Sequence, residues 1–423
     1  MHDLRAIREG LEALRSGMER RGRIDSLGPT LDRLVELDRD RRLTIQALEE
    51  RKAARNASSQ EVARRKRAGE DATELVATGR ALGEEIGRLD RELATMEGSI
   101  QSLLAELPNV TLPDVPLGGE EANTVVRSWG TPRAEAVVPH WELGEKLGIL
   151  DLARGARISG SGFVVLRGNG PRLVRALMNF MIDLHLREHD YEEAWVPFVV
   201  NRASMFGTGQ LPKFEDDMYG VDGGGMFLVP TAEVPITNLL RDEILDAGQL
   251  PKGITGYSPC FRREAGAAGK DTRGLIRVHQ FDKVELVRFT TPEQSAEQHE
   301  LLTRQAERVL QLLELPYRVL LLAAGDTGFA SAKTYDLEIW APGVGKWLEV
   351  SSCSNFLDFQ ARRANIRYRP APGEKPRFVH TLNGSGVAFP RTIIGLLEHH
   401  QQPDGSVRVP EALRPYLGTD VLR

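Results

Sequence analysis

The chain has 423 residues, 41 % hydrophobic and 27 % charged, with a formal net charge of -5. That length allows two or three domains, and the composition is that of ordinary globular proteins, which excludes disorder along the whole chain. A pI near 6.1 excludes a generally basic nucleic-acid coat but not a local basic patch. The two cysteines, Cys260 and Cys353, are too few for a disulfide scaffold and form no CxxC pair. The N-terminus alternates charged and apolar residues, and no apolar run is long enough to span a bilayer. A cytoplasmic location and no membrane partner are therefore expected.

Residues 1–108 read as an arm. The first 107 hold no Phe, Tyr or Trp and are rich in Leu, Ala, Arg and Glu. Leu75, Leu82, Ile86, Leu89, Leu93, Met96, Ile100, Leu103 and Leu107 follow steps of four and three once Gly79 fills one slot, the signature of a coiled-coil seam. Leu31, Leu34, Ile45 and Leu48 form a looser version, and residues 55–70 between them are polar. Two long helices joined by a polar turn would make an antiparallel hairpin, ended by Pro108. Arg51, Lys52, Arg55, Arg64, Arg65, Lys66 and Arg67 crowd toward the turn, with Glu61 alone opposing them. Such a run is either a solvated helix face or a phosphate-binding finger.

Residues 109–128 hold Pro113, Pro116, Gly118 and Gly119 and read as a linker. Residues 129–423 read as one mixed domain. RLVRALMNFMIDLHLREH has helical spacing, EEAWVPFVV is a strand broken by Pro197, and VDGGGMFLVPT is a glycine turn entering a strand. ITGYSPCFRREA and IRVHQFDKVELVRF are strands separated by GAAGKDTRGL. PEQSAEQHELLTRQAERVLQLLEL is an amphipathic helix, followed by strands in YRVLLLAAGD, TYDLEIWAP and KWLEVSSCSNF. Strands dominate without βαβ alternation, so the expected class is α+β, with an antiparallel sheet flanked by helices.

Several chemical signatures are absent: no P-loop, no GxGxxG after a first strand, no HExxH and no GxSxG. The scattered histidines predict no zinc site. What remains is a set of arginines and carboxylates on predicted strands. Alternation places Arg277, His279, Phe281, Lys283 and Glu285 on one face, and Val278, Gln280, Asp282 and Val284 on the other. Buried charges are costly unless paired. The first face is therefore either a set of structural ion pairs or a ligand surface in which arginines grip phosphate, an aromatic stacks on a base and a carboxylate holds magnesium.

The segments carrying these residues resemble the seryl-tRNA synthetase family of class II aminoacyl-tRNA synthetases. RALMNFMIDLHLREHDYEEAWVPFVV resembles its motif 1, CFRREAGAAGKDTRGLIRVHQFDKVE its motif 2, and TLNGSGVAFPRTIIGLLEHH its motif 3. PTAEVPITNLLRDEIL resembles its serine-contacting loop and TYDLEIWAPGVGKWLEVSSCSNFLDFQARRANIRYR its Mg·ATP stretch. The N-terminal hairpin resembles its tRNA-binding arm. Five such segments in this order are specific, and they cover essentially the whole chain.

The resemblance implies a homodimeric serine–tRNA ligase that forms seryl-adenylate from L-serine and ATP with Mg²⁺, then loads tRNA(Ser), with tRNA(Sec) a further acceptor it allows. Arg262, Arg391 and Glu349 would be catalytic. ATP would be held by Arg262, Arg263, Glu264, Val278, Phe281, Arg391 and the stretch Glu349, Val350, Ser351 and Ser352, with Glu349 and Ser352 on the metal. Serine would meet Thr231, Ala232, Glu233 and Arg262, with Glu285 and Ser385 reading its hydroxyl. The seven basic residues of the arm would contact tRNA, and Pro197 with the motif 1 helix would lie at the dimer interface. Two departures stand out. Phe389-Pro390 replaces a smaller pair, so Phe389 is expected to crowd the triphosphate end, and Ala323-Ala324 replaces a Cys-Thr pair with consequences for packing alone. Rival readings are a ligase loading a carrier protein, a catalytically dead RNA-binding paralogue, and a second, inhibitor-tolerant seryl enzyme.

Overall fold

The computed structural model describes residues 1–265 and 272–423. The middle of the predicted turn GAAGKDTRGL lies outside the described residues. The chain divides into two units, Met1–Pro108 and Asn109–Arg423.

The first unit is built on two long helices, α1 (Ile24–Ala68) and α2 (Thr73–Glu106), preceded by the short helices Leu4–Glu9 and Leu11–Arg20. Leu48, Ile86 and Leu89 form a buried cluster with Leu93 against it, so the leucine period is the seam. Near the end of α2 the buried residue is Leu104, with Leu103 half-buried. The polar stretch 55–70 is not the turn. Its Ala, Arg, Gln and Glu residues are good helix formers, and α1 runs through them to Ala68. Gly69, at φ 73, then closes the helix in the left-handed conformation that glycine adopts freely. Buried Asp38 on α1 takes two bonds from Arg8, Nε at 2.7 Å and Nη2 at 3.0 Å, which ties the first short helix down. These bonds hold its carboxyl below the usual carboxylate range.

The second unit is an eight-stranded sheet. In chain order its strands are β1 (Thr124–Trp129), β2 (Glu192–Glu193), β3 (Lys252–Phe261), β4 (Gln280–Thr290), β5 (Tyr317–Leu321), β6 (Lys333–Ala341), β7 (Lys346–Asn355) and β8 (His380–Ala388). The spatial order is β1-β5-β6-β7-β8-β4-β3-β2, and every pairing is antiparallel except β2 with β3. Helices α3 (Gly170–Glu188), α4 (Ser295–Leu312) and α5 (Phe389–His399) pack on it and close one large apolar core. The segment 109–128 is not a free linker. The Asn109 N–H donates to Phe329 O at 2.9 Å, the Leu112 N–H donates to Ala332 O at 2.9 Å, and the segment ends in edge strand β1.

Two bulges aim the strands that matter. On β7, Leu337 of β6 faces Ser351 while the next residue, Glu338, faces Glu349, so Val350 is an extra residue. On β8, Lys283 faces Ala388 while Glu285 faces Ser385, so three steps on β8 match two on β4. The second bulge holds Val387 at φ 90, a strained conformation for a β-branched residue. An extra residue reverses the side-chain alternation beyond it. Glu349 and Ser352 thereby face the same side, as do Ser385 and Ala388.

Candidate active site

One cavity of about 660 Å³ opens on this sheet face. It brings together Thr231, Glu233, Arg262, Glu264, Val278, Phe281, Glu349, Ser352, Ser385 and Arg391, all expected from the sequence. Five expected residues do not line it. Arg263 is exposed at the surface, Ala232 and Val350 are in the core, Ser351 is buried and donates to Ser385 O at 2.7 Å, and Glu285 is wholly buried beneath the floor. Lys283 and Arg277, which the sequence places on the candidate ligand face without a role, also line the cavity, as does Asn383, which it does not single out.

One end of the cavity suits a purine nucleotide. Arg262, just past β3, lies over the Phe281 ring with 5.1 Å to its centroid, and its Nε donates to Pro230 O at 3.3 Å. It makes no ion pair among the described residues, so its charge is available to a ligand. Glu264 does not pair with Arg262. It binds Arg277, so the structural ion-pair reading holds for that couple, as it does for Lys283 with Glu285. Arg277 and His279 precede β4, which begins at Gln280, so alternation does not govern them. Val278 therefore reaches the cavity from the face where alternation had put it out of reach.

Arg391 sits in the first turn of α5, where Pro390 is tolerated because the N–H it lacks has no helical partner there. Its Nε donates to Ile276 O at 3.0 Å and its Nη1 to Glu349 O at 2.7 Å, with Glu349 Oε2 at 3.5 Å. Phe389 does not crowd this end. Its side chain is buried in the main core, and it is Pro390 that lines the cavity. The core claims the ring because the first turn of α5 turns Phe389 inward as it turns Arg391 outward.

The segment over the cavity is held by a buried hub. His140 Nδ1 lies 2.8 Å from Glu398 Oε1, and the Leu275 N–H donates to His140 Nε2 at 3.1 Å. A backbone N–H can only donate, so Nε2 is an acceptor and Nδ1 carries the hydrogen given to Glu398. The Glu398 carboxylate also accepts from the His140 N–H at 2.9 Å and the Gly343 N–H at 2.8 Å. Gly274, at φ 65, has no room for a Cβ, which would lie 2.3 Å from His140 Nε2. The hub thus ties the far end of α5 to the segment 274–278.

The other end is a buried polar floor. Thr231 Oγ1 donates to Glu285 Oε2 at 2.7 Å, Lys283 pairs with Glu285, and Asn383 Nδ2 donates to Glu285 Oε1 at 3.3 Å. Gln360 Nε2 donates to Glu233 Oε1 at 2.6 Å. Burial, with Glu285 nearby, pushes the Glu233 carboxyl up from its ordinary 4.5 to about 7, against the Gln360 bond and the charges of Lys283 and Arg262. Beside Glu349 and Ser352, half-buried Asp336 has a buried Oδ1 with no partner among the described residues. Burial and then Glu349 hold its carboxyl well above the carboxylate range. Glu349 and Ser352, with the Asp336 carboxyl beside them, are a set of hard oxygen donors of the kind a divalent cation takes. Cys353 is buried in the core with its thiol pushed up to about 12 by burial, so it is no nucleophile.

On the arm, the seven expected cations divide. Arg51 pairs with Glu85 at 3.1 Å and Lys52 with Asp90 at 3.8 Å across the hairpin, roughly 25 Å back from the turn at 1.5 Å per residue. Arg64 and Arg65 share Glu61. Arg55, Lys66 and Arg67 are exposed and make no ion pair among the described residues.

The chain matches two family descriptions: "Seryl-tRNA synthetase N-terminal domain" over residues 1–111, and "tRNA synthetase class II core domain (G, H, P, S and T)" over residues 220–400. It is 67 % identical to the serine–tRNA ligase of Gemmatimonas aurantiaca, with all of both chains covered. It superposes on the seryl-tRNA synthetase of Pyrococcus horikoshii complexed with ATP at a TM-score of 0.94 and 38 % identity, over 100 % of this chain and 99 % of that one. The cytoplasmic serine–tRNA ligase of Naegleria fowleri in complex with AMP follows at a TM-score of 0.88 and 31 % identity, again over 100 % and 99 %. With both units matched and two-thirds of the sequence shared with a full-length relative, the chain belongs to the seryl-tRNA synthetases, the class II aminoacyl-tRNA synthetases that ligate serine to tRNA.

Proposed function

We propose that this cavity is where serine and ATP become seryl-adenylate, and that the arm presents tRNA for loading. One observation carries the reading: a single cavity joins the guanidiniums of Arg262, Arg277 and Arg391 and the Phe281 ring to a buried carboxylate floor. Phe281 stacks on adenine, Glu264 meets its edge, and Arg391 grips the terminal phosphate. Arg262 spans the serine carboxylate and the α-phosphate. A serine carboxylate oxygen attacks the α-phosphorus as the bond to pyrophosphate breaks, and no protein nucleophile is needed. The chain contributes alignment and preorganised positive charge. Glu349 and Ser352 would hold Mg²⁺, which supplies neutralisation of phosphate charge when bound.

Solved relatives complexed with ATP and with AMP support the nucleotide end. The exposed cations of the arm support phosphate contact by shape, without base reading. A homodimer is supported by Trp195, 71 % exposed, which lies with Phe198 and Tyr257 in an aromatic cluster beside the two-residue edge strand β2. The described residues contain no helix long and apolar enough to cross a membrane.

Glu233 supplies a pH test. Its carboxyl titrates near 7, so it is neutral below and charged above. Charged, it receives the serine ammonium. The KM for serine is expected to fall as pH rises through about 7, with the KM for ATP flat, and Glu233→Gln should abolish that dependence. The linked effect on the empty enzyme has the opposite sense. A carboxyl raised from 4.5 to about 7 by folding favours the folded state below 4.5, and that contribution is lost as pH rises through 7. A serine KM that is flat in pH while exchange is robust would remove Glu233 from this role.

A further inference from the structure

The floor of the cavity is organised by a residue outside the expected serine-binding set. Lys283, on β4, is 5 % exposed and lines the cavity, whereas Glu285, expected to read the serine hydroxyl, is 0 % exposed beneath it. The Lys283 ammonium has three hydrogens, and three acceptors surround it: the Glu285 carboxylate, Thr231 Oγ1 at 3.1 Å and Ser385 Oγ at 3.1 Å. Thr231 has no capacity left. Its hydroxyl hydrogen goes to Glu285 at 2.7 Å, and its oxygen accepts from Lys283 and from the Glu233 N–H at 3.2 Å. Ser385 differs. An ammonium cannot accept, so the Ser385 hydrogen must point away from Lys283, and no other described residue takes it.

We propose that Lys283 is the specificity-determining residue of the amino-acid end: by donating to Thr231, Ser385 and Glu285 at once, it turns the Ser385 O–H into the cavity as the donor that reads a small hydroxyl. The inference rests on the adenylate-site reading above and adds to it the origin of the donor. A hydroxyl-bearing amino acid completes the Ser385 bond. One with a methyl in place of CH₂OH leaves a buried donor unmade, and polar sites of this kind reject such analogues strongly. Asn383 Nδ2, at 3.3 Å from Glu285 Oε1, braces the carboxylate from the other side.

The test is ATP–pyrophosphate exchange of the full chain with serine and with alanine, beside titration calorimetry with Mg·ATP alone. Lys283→Met keeps the side-chain length and removes every donor. It is expected to lower the serine-over-alanine ratio of kcat/KM by about tenfold or more, with ATP affinity unchanged. Ser385→Ala should lower the same ratio, and the double variant should lose little more than either single, since both remove one directed donor. An unchanged ratio in Lys283→Met, or losses that multiply in the double variant, would overturn the proposal. Should Lys283→Met fail to bind ATP, Lys283→Arg keeps the cation but replaces three converging donors with a planar fork. A full serine preference in that variant would equally overturn it. Absence of serine exchange in the unaltered chain would refute the adenylate-site reading, an outcome distinct from any of these.

Discussion

Arg262→Ala is expected to lower ATP–pyrophosphate exchange with serine by about 10³-fold, the scale of losing a preorganised charge at a developing oxyanion in a shielded site. The reason lies in what Arg262 does not do. It has no ion pair among the described residues, its side chain donates to Pro230 O at 3.3 Å, and it rests on Phe281. Removing it leaves no buried carboxylate unpaired, so the melting temperature should move little. In the proposed reaction, the lost charge is the one between the two reacting groups. The loss should therefore fall on kcat as well as on KM, because the charge is worth more as the α-phosphorus gains its fifth oxygen than in the ground state. Lys, a point charge without the planar fork, should recover only part of the rate. Exchange at the unaltered rate in Arg262→Ala would place the chemistry elsewhere.

The second large effect is expected on the arm, and it separates the two steps of the reaction. Excising residues 52–86 and closing α1 to α2 with a short glycine turn keeps Leu48 and Leu89 as a shortened seam. It also removes Arg55, Lys66 and Arg67, whose charges have no carboxylate partner among the described residues. Serine-dependent exchange should persist at its full rate, because every residue lining the cavity belongs to the second unit. Transfer to tRNA should fall by at least about 100-fold, as expected when several phosphate contacts are lost together. A milder variant, Arg55→Ala/Lys66→Ala/Arg67→Ala, should flatten the dependence of tRNA affinity on salt by roughly two to three in the log–log slope, about one per lost phosphate contact. Full charging by the truncated enzyme would show that the arm is not the tRNA grip.

How much of this was legible in the sequence follows from which physical rules hold where. The hairpin was legible because a seam must repeat, and Leu75 to Leu107 repeat. The sheet was legible because strand-forming runs recur between short turns without βαβ alternation, although β4 itself is buried on both faces from Lys283 to Thr290. The errors cluster where the backbone leaves the regular period. The extra residue at Val350 puts Glu349 and Ser352 on one face, which simple alternation forbids. Arg277 and Val278 precede the strand and obey no parity. The turn of the arm is shorter than the polar stretch 55–70 suggests, because helix propensity favours the continuation of α1 to Ala68. Lys283 was on the predicted ligand face, beside Phe281 and Glu285. Its parity was the signal that could have assigned it, and the missing fact was the depth at which Glu285 lies. The His140–Glu398 hub joins positions 258 residues apart and left no local trace.

The rival readings fare differently. Arg262, Glu264, Glu349 and Arg391 share one cavity, an arrangement a catalytically dead paralogue has no need to keep. The hint of inhibitor tolerance rested on Phe389, which faces the core. The central claim, that this cavity activates serine, is tested most directly by ATP–pyrophosphate exchange across the twenty amino acids, with Mg²⁺ and without tRNA. Exchange with serine, and with alanine and threonine lower by orders of magnitude, is the predicted result. Exchange led by alanine or glycine, or none with any amino acid, would contradict it.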